Sequence, residues 1–165
     1  MPITAETLKQ FDTSRAFIET GLDRGDGVRA ALAAGFRRIV SIELSQDSVD
    51  VCEEAFVGKP VTLLQGDTVV QLKALLTSLF EPAVFWLDAH PNDSSPILEE
   101  LAALKNHHIK THTILIDDRR LMQGDTWKNV HEIQVLQALK DINPNYKIWY
   151  VDGHVPEDII VAVAP

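Results

Sequence analysis

The sequence predicts a doubly wound α/β domain whose seven strands form one mostly parallel sheet that ends in an antiparallel hairpin. Seven short apolar runs recur along the chain, and most intervals between them are long enough for a crossover helix. Only DGHVPED separates the cores of the last two runs, which is too short for a helix and predicts antiparallel neighbours. The runs are Ala16 to Gly21, Arg38 to Leu44, Val61 to Asp67, Ala83 to His90, Thr113 to Asp118, Lys147 to Gly153 and Asp158 to Pro165.

The intervening segments have helical spacing and recognisable ends. The first is rich in alanine and is closed by Gly35, while Ser45 and Pro96 suit the first positions of two later helices. In the last predicted helix, Val130, Ile133, Leu136 and Leu139 fall on one face. The predicted helices are Gly25 to Ala34, Ser45 to Phe56, Thr68 to Phe80, Pro96 to Leu104 and Trp127 to Leu139.

Length and charge restrict the function. The 165 residues fit a single domain, 1–165, and 24 acidic against 15 basic side chains give a net charge of -9, which disfavours a nucleic-acid partner. The lone Cys52 is expected to be a buried thiol, and no apolar run approaches the ~20 residues that span a bilayer. We therefore expect a cytoplasmic protein with no membrane partner; whether it forms a homo-oligomer is left open.

A glycine-bearing turn follows the first strand. The segment runs from Glu19 through Gly21, Gly25 and Gly27, and Glu43 ends the second strand about twenty residues later. Glycines let a backbone approach a ligand closely, and an acid at the second strand's end can accept both hydroxyls of a ribose. The pattern favours a nucleotide-type cofactor site, although the spacing is not GxGxxG and the glycines could serve only a tight turn.

The motifs FIETGLDRGDGVRAAL, SIEL, GDT, FWLDAH and ILIDDRR, with the closing hairpin, resemble a class I S-adenosylmethionine-dependent methyltransferase with a Rossmann-like fold. More narrowly, the first motif is similar to a small bacterial or phage-type branch. The resemblance implies that S-adenosylmethionine is the cofactor, that Glu43 holds its ribose and that Asp67 approaches its adenine. The full implied cofactor set is Glu19, Thr20, Gly21, Gly25, Gly27, Glu43, Leu44, Asp67, Thr68 and Asp88.

Two segments depart from that branch. Leu22 and Asp23 stand where it has a threonine and an aromatic residue, and the Asp23 carboxylate would repel the cofactor's own carboxylate unless it pairs with the ammonium group or with Arg24. The connection PNDSSP after His90 is also short, which predicts thin coverage of the substrate.

A second group of polar residues follows the fourth and fifth strands. Asp88, His90, Asp117 and Asp118 would meet if these strands are neighbours, and their oxygens suit a hard cation such as Mg²⁺. The arrangement resembles metal-dependent sugar O-methyltransferases of the macrocin type, which implies that Asp88, Asp117 and Asp118 hold the metal. His90 stands at the position of the family's base and can accept a hydroxyl proton near neutral pH. The alternative is that these residues only cap turns or pair with Arg119 and Arg120.

Other polar and aromatic residues carry weaker expectations. His107, His108 and His112 are expected in a solvated loop, whereas Trp86 and Trp149 are expected in the core. Trp127 either covers a substrate or packs in the core.

The leading hypothesis is a methyltransferase acting on an oxygen of a small-molecule acceptor, with His90 and Asp88 as catalytic residues and Mg²⁺ as a candidate second cofactor. One alternative is a degenerate domain that binds S-adenosylmethionine without transfer activity. Another is a metal-dependent hydrolase. A nicotinamide enzyme is disfavoured by the glycine spacing.

Overall fold

A seven-stranded sheet runs through the computed structural model, which describes residues 3–91, 93–124 and 126–165. The strand order is β3-β2-β1-β4-β5-β7-β6, and β7 runs in the direction opposite to the other six strands. The mostly parallel sheet and its antiparallel hairpin are therefore confirmed. The strands are β1 (Ala16–Thr20), β2 (Ile39–Glu43), β3 (Val61–Gln65), β4 (Ala83–Leu87), β5 (Thr113–Ile116), β6 (Lys147–Val151) and β7 (Ile159–Val163).

Helices connect the parallel strands, and their ends follow the expected local chemistry. Gly35 ends α2 with φ +106°, and the Ser45 hydroxyl accepts a hydrogen bond from the Ser48 amide at the start of α3. The helices in the described ranges are α1 (Ala5–Leu8), α2 (Asp26–Ala34), α3 (Gln46–Ala55), α4 (Thr68–Leu76), α5 (Ile97–Asn106), α6 (Arg119–Met122) and α7 (Glu132–Ile142).

The last predicted helix begins later than the sequence suggested. It starts at Glu132, after His131 at its N-cap, so Trp127 precedes the helix. The predicted apolar face was also wrong in part, because Ile133 is 73% exposed. The buried side chains are instead Val135, Leu139 and Ile142, which are spaced for one face of a helix beginning at Glu132.

Two apolar layers enclose the sheet. On one face, Phe17, Val84 and Trp86 pack with residues of α2 and α3. On the other, Ile18, Phe85 and Ile114 pack with residues of α4, α5 and α7. The expected burial of Cys52 and Trp86 is confirmed, but Trp149 lies in β6 at the sheet edge with 38% of its surface exposed. No helix in the described ranges is long and apolar enough to cross a bilayer.

The expected solvated loop after α5 contains a buried histidine pair. Nδ1 of His107 lies 2.9 Å from Nε2 of His112, and Nδ1 of His112 accepts the Ala83 amide at 3.1 Å. His112 therefore carries its hydrogen on Nε2, which it donates to His107. Burial lowers the pKa of His112 to about 3. Only His108 of the three histidines is exposed, so the solvated-loop interpretation was wrong for the other two.

Candidate active site

The carboxyl ends of β1 to β5 open into one cleft of about 1480 Å³. Its lining includes residues that follow each of these five strands, from the glycine turn after β1 to the acidic pair after β5. This is the edge at which open α/β sheets bind ligands. The cleft contains both groups of residues that the sequence singled out, and we call its β1 to β3 side the cofactor half and its β4 to β5 side the acceptor half.

The glycine turn brings the β1 and β4 ends close together. Gly21 has φ +86°, and a Cβ there would lie 2.8 Å from the carbonyl oxygen of Asp88. A Cβ at Gly27 would overlap the Oε1 atom of Glu19. Gly21 therefore permits a backbone contact, and Gly27 leaves room for a buried carboxyl group.

Glu19 is buried at the floor of this turn. Its side chain accepts a short hydrogen bond from the Ser41 hydroxyl, and only 1% of the residue is exposed. Burial raises the pKa of Glu19 to about 8, against the opposing effect of the Ser41 hydrogen bond. The carboxyl group is therefore mostly protonated at neutral pH.

Glu43 organises the loop above it through backbone hydrogen bonds. Its Oε2 atom accepts the amides of Leu22 and Asp23, each at 3.0 Å, and Oε1 accepts the Ser45 amide at 2.8 Å. A carboxylate offers about four lone-pair positions, so roughly one remains for a ligand. Asp23 itself is exposed and has φ +45°, a conformation that aspartate and asparagine tolerate better than most residues.

The remaining cofactor-half residues also line the cleft or lie against it. Leu44 is 61% exposed, and Asp67 caps α4 by accepting the Val70 amide at 3.0 Å. Thr68 begins α4, and the Thr20 hydroxyl lies 3.4 Å from Oε2 of Glu100. Burial raises the pKa of Glu100 to about 7. Sequence reasoning did not find Glu100, because it occupies an ordinary position in an amphipathic helix.

The acceptor half contains an ion-paired histidine. Nε2 of His90 lies 3.1 Å from Oδ2 of Asp118. Because a carboxylate accepts, Nε2 carries the hydrogen and Nδ1 of the neutral ring is left as the proton acceptor. The hydrogen bond to Asp118 raises the pKa of His90. The ring also lies against Trp127, with 5.7 Å between the ring centroids.

Arg120 neutralises Asp118, as one of the alternatives from the sequence expected, and also Asp158, which the sequence did not place here. Its guanidinium lies 2.7 Å from Oδ1 of Asp118 and also pairs with Asp158. Although burial acts in the opposite direction, His90 and Arg120 hold the pKa of Asp118 below its usual range. Asp158 precedes β7 and is brought to the site by antiparallel pairing with β5, which no local motif announces.

Asp88 and Asp117 form no such ion pair within the part of the chain that the structure describes. Burial, followed by the charge of neighbouring carboxylates, raises the pKa of both side chains. Asp117 is 2% exposed, and its Oδ1 has no hydrogen-bond partner in the described part of the chain. Potential metal-ligating atoms lie within 4.8 Å of one another in two sets, namely Asp88, His90 and Asp118, and Asp117, Asp118 and Asp158.

Two connections form the outer wall of the acceptor half. The Ser95 amide donates to Oδ1 of Asn129, whose Nδ2 donates back to the Ser95 carbonyl at 2.8 Å. Trp127 is only 1% exposed, so it supports His90 from the core. Packing, one of its two expected roles, is confirmed.

Comparison with known proteins identifies the fold. No protein-family model matches the chain, and no curated protein matches it significantly. An O-methyltransferase from Bacillus cereus in complex with S-adenosylhomocysteine superposes with TM-score 0.69 at 17% identity, over 98% of this chain and 79% of that one.

Two further solved structures agree. The O-methyltransferase TomG from Streptomyces achromogenes, in complex with S-adenosylmethionine, gives TM-score 0.67 at 16% identity, over 97% of this chain and 77% of its own. A methyltransferase from Podospora anserina bound to S-adenosylhomocysteine superposes with TM-score 0.67 at 18% identity, over 98% of this chain and 76% of that one. The chain therefore has the Rossmann-like fold of class I S-adenosylmethionine-dependent methyltransferases.

Proposed function

We propose that the protein is an S-adenosylmethionine-dependent methyltransferase that acts on a hydroxyl of a small molecule. The observation that carries the proposal is the single cleft in which the Glu43 loop and the His90–Asp118 pair face the same space. The three neighbours described above were crystallised with the cofactor or its demethylated product, which supports the same assignment.

The cofactor half suits the two ends of S-adenosylmethionine. Glu43 keeps about one lone pair for a ribose hydroxyl, and exposed Leu44 offers an apolar surface for the adenine, with Asp67 and Thr68 beyond it. The turn from Glu19 and Thr20 through Gly21, Gly25 and Gly27 faces the amino-acid end, beside the end of β4 at Asp88. Glu19 is neutral at pH 7 and adds little repulsion toward the cofactor's carboxylate.

His90 supplies the base in this proposal. When the acceptor oxygen bonds to the methyl carbon, the carbon–sulfur bond breaks and its electron pair stays on sulfur. Nδ1 of His90 takes the hydroxyl proton, and Asp118 stabilises the resulting imidazolium through Nε2. Arg120 holds Asp118 in the ionised form that this role requires. Asp88, which follows β4, is the second catalytic residue that the sequence predicts beside His90.

Mg²⁺ is a second candidate for the acidic edge. The free Oδ1 of Asp117 favours a cation, and Asp88, Asp117 and Asp118 would hold it. A bound ion would lower the pKa of the acceptor hydroxyl. Both Asp118 oxygens already pair with His90 or Arg120, so an ion would have to compete for them. Anomalous diffraction from crystals soaked in Mn²⁺ tests this, because a peak beside Asp88 and Asp117 would support a metal and its absence would remove Mg²⁺ from the proposal.

Titration calorimetry tests the main proposal. S-adenosylhomocysteine should bind at one site per chain, and turnover should be measured with S-adenosylmethionine across hydroxyl-bearing acceptors. Binding without turnover would favour the degenerate binding domain. The exposed carboxylate of Asp23 is the feature that favours this alternative. Metal-dependent hydrolysis without cofactor binding would favour the hydrolase.

We also propose a cytoplasmic location and a small-molecule acceptor rather than nucleic acid. A buried, unpaired Cys52 suits a reducing compartment, which supports a cytoplasmic location. The net charge of -9 supports a small-molecule acceptor rather than nucleic acid. Cell fractionation tests the location, and light scattering tests whether a homo-oligomer forms.

A further inference from the structure

Acidic residues outnumber arginines in the lining of the cleft, even though one of the acids, Glu19, is mostly protonated at neutral pH. Nine acidic residues and two arginines are among the residues that line it. Arg24 belongs to the cofactor half, in the turn after β1, and Arg120 is already paired with Asp118 and Asp158. Among the described residues, neither arginine forms an ion pair with Asp88 or Asp117.

Asp117 is the carboxylate for which this matters most. Its amide donates to the Leu87 carbonyl at 3.1 Å, which fixes it beside the end of β4 and next to Asp88. The residue is 98% buried yet lines the cleft, and Oδ1 finds no hydrogen-bond partner among the residues of the described ranges. A buried polar atom without a partner is unfavourable, so a ligand that donates to it would be bound strongly.

We propose that Asp117 and Asp88 bind a protonated amine of the methyl acceptor, so that the substrate class is a small hydroxyl compound carrying a cationic amino group. This inference rests on the proposed function. The amine would lie between Asp117 and Asp88 while the hydroxyl faces His90, because ligand atoms of Asp88 and His90 lie within 4.8 Å of each other. One small molecule can thus contact both groups.

The geometry favours an amine of the acceptor over two other cations. The ammonium of the cofactor would lie in the turn after β1, near Asp88, whereas Asp117 follows β5, two strand spacings or roughly 10 Å from β1. A divalent metal held by Asp88, Asp117 and Asp118 would have to compete with His90 and Arg120 for the Asp118 oxygens, both of which are engaged. An ammonium group has three donors and needs only the oxygens that Asp88 and Asp117 leave available.

The test uses a pair of probes that differ by one charged group. Ethanolamine and ethylene glycol are titrated separately into the protein saturated with S-adenosylhomocysteine, and the backbone amide NMR signals of Asp117 and Gly153 are followed. Gly153 is a suitable reporter because a Cβ there would lie 3.4 Å from Oδ1 of Asp117. Ethanolamine should shift these signals saturably, and ethylene glycol at equal concentration should not.

Variants separate binding at Asp117 from general attraction to an acidic protein. Asp117→Asn should weaken ethanolamine binding by about tenfold or more, since a charge-assisted hydrogen bond is lost. Asp47→Asn removes the same charge from the exposed surface of α3 and should leave the affinity unchanged. If Asp117→Asn does not fold, Asp88→Asn is the second variant, and it should also weaken ethanolamine binding.

The outcomes also separate this inference from the proposed function. Failure of S-adenosylhomocysteine to bind would defeat the proposed function itself. Normal cofactor binding with no preference for ethanolamine over ethylene glycol would overturn only the amine assignment. Displacement of ethanolamine by millimolar Mg²⁺, with Asp117→Asn abolishing Mg²⁺ binding, would assign the site to a metal and likewise overturn it.

Discussion

The two halves of the cleft are built by different kinds of contact. In the cofactor half, backbone amides from a single loop and its neighbour satisfy Glu43, and glycines set the approach distances. In the acceptor half, side chains from separate parts of the chain neutralise one another, as Arg120 does for Asp118 and Asp158. The first half is therefore held mainly by backbone contacts, whereas single substitutions can change the charge balance of the second.

The largest expected effect is a loss of turnover from a substitution in the acceptor half that leaves cofactor binding intact. His90→Ala removes the proposed base and should lower turnover by roughly 10²- to 10⁴-fold. S-adenosylhomocysteine should bind with unchanged affinity, because the contacts in the cofactor half remain. Steady-state kinetics and calorimetry on the same preparation check both statements. His108→Ala, at an exposed histidine outside the cleft lining, is the control, and equal losses in both variants would contradict the assignment.

Glu43→Ala breaks the cofactor half. We expect S-adenosylhomocysteine to bind more weakly by about 1 to 3 kcal/mol, because charge-assisted hydrogen bonds are lost. The amides of Leu22 and Asp23 also lose their acceptor, so part of this effect comes from the loop. Calorimetry measures the change, with Glu53→Ala on the exposed side of α3 as control. An unchanged dissociation constant would remove Glu43 from the site.

The contrast between the halves explains how far the sequence could predict the site. The strands, their mostly parallel order and the glycine turn follow from local patterns, since apolar period and turn chemistry act over a few residues. Glu43 follows from its position at the end of β2. Its hydrogen bonds to Leu22 and Asp23 were not foreseen, because they need the loop's three-dimensional path.

The acceptor half was less predictable for a physical reason. Asp158 is brought beside Arg120 by strand pairing, so its role as an ion-pair partner leaves no signature in nearby sequence. The same applies to the buried pair of His107 and His112, where tertiary packing overrides the polar character of the segment. In both cases, the polar group is satisfied by a residue that local sequence does not place beside it.

A pH experiment sharpens the comparison, because Glu19 is the buried acid of the cofactor half. Its pKa is about 8 in the folded chain, above an ordinary value of 4.5. Between these values the folded state keeps a proton that the unfolded chain releases, so stability falls as pH rises. Glu19→Gln should reduce this fall between about pH 5 and pH 8 in urea unfolding. Glu54→Gln, on exposed α3, should leave it unchanged; parallel curves for all three proteins would contradict the expectation.

The smallest expected effect concerns the carboxylate of Asp23 in the cofactor half. Asp23 is exposed and lines the cleft in the turn where we propose that the cofactor's amino-acid end binds, so its carboxylate should repel the cofactor's own carboxylate. Asp23→Asn keeps the φ of +45° accessible and the amide donor to Glu43, and therefore changes charge with little change in backbone. S-adenosylhomocysteine should bind about two- to fivefold more tightly, as expected for one exposed charge pair. Glu54→Gln provides the same change in net charge outside the cleft lining. Weaker binding by the Asp23 variant would instead show that Asp23 pairs with the cofactor's ammonium group. A charged side chain would then contribute to binding in the cofactor half, as charged side chains do in the acceptor half.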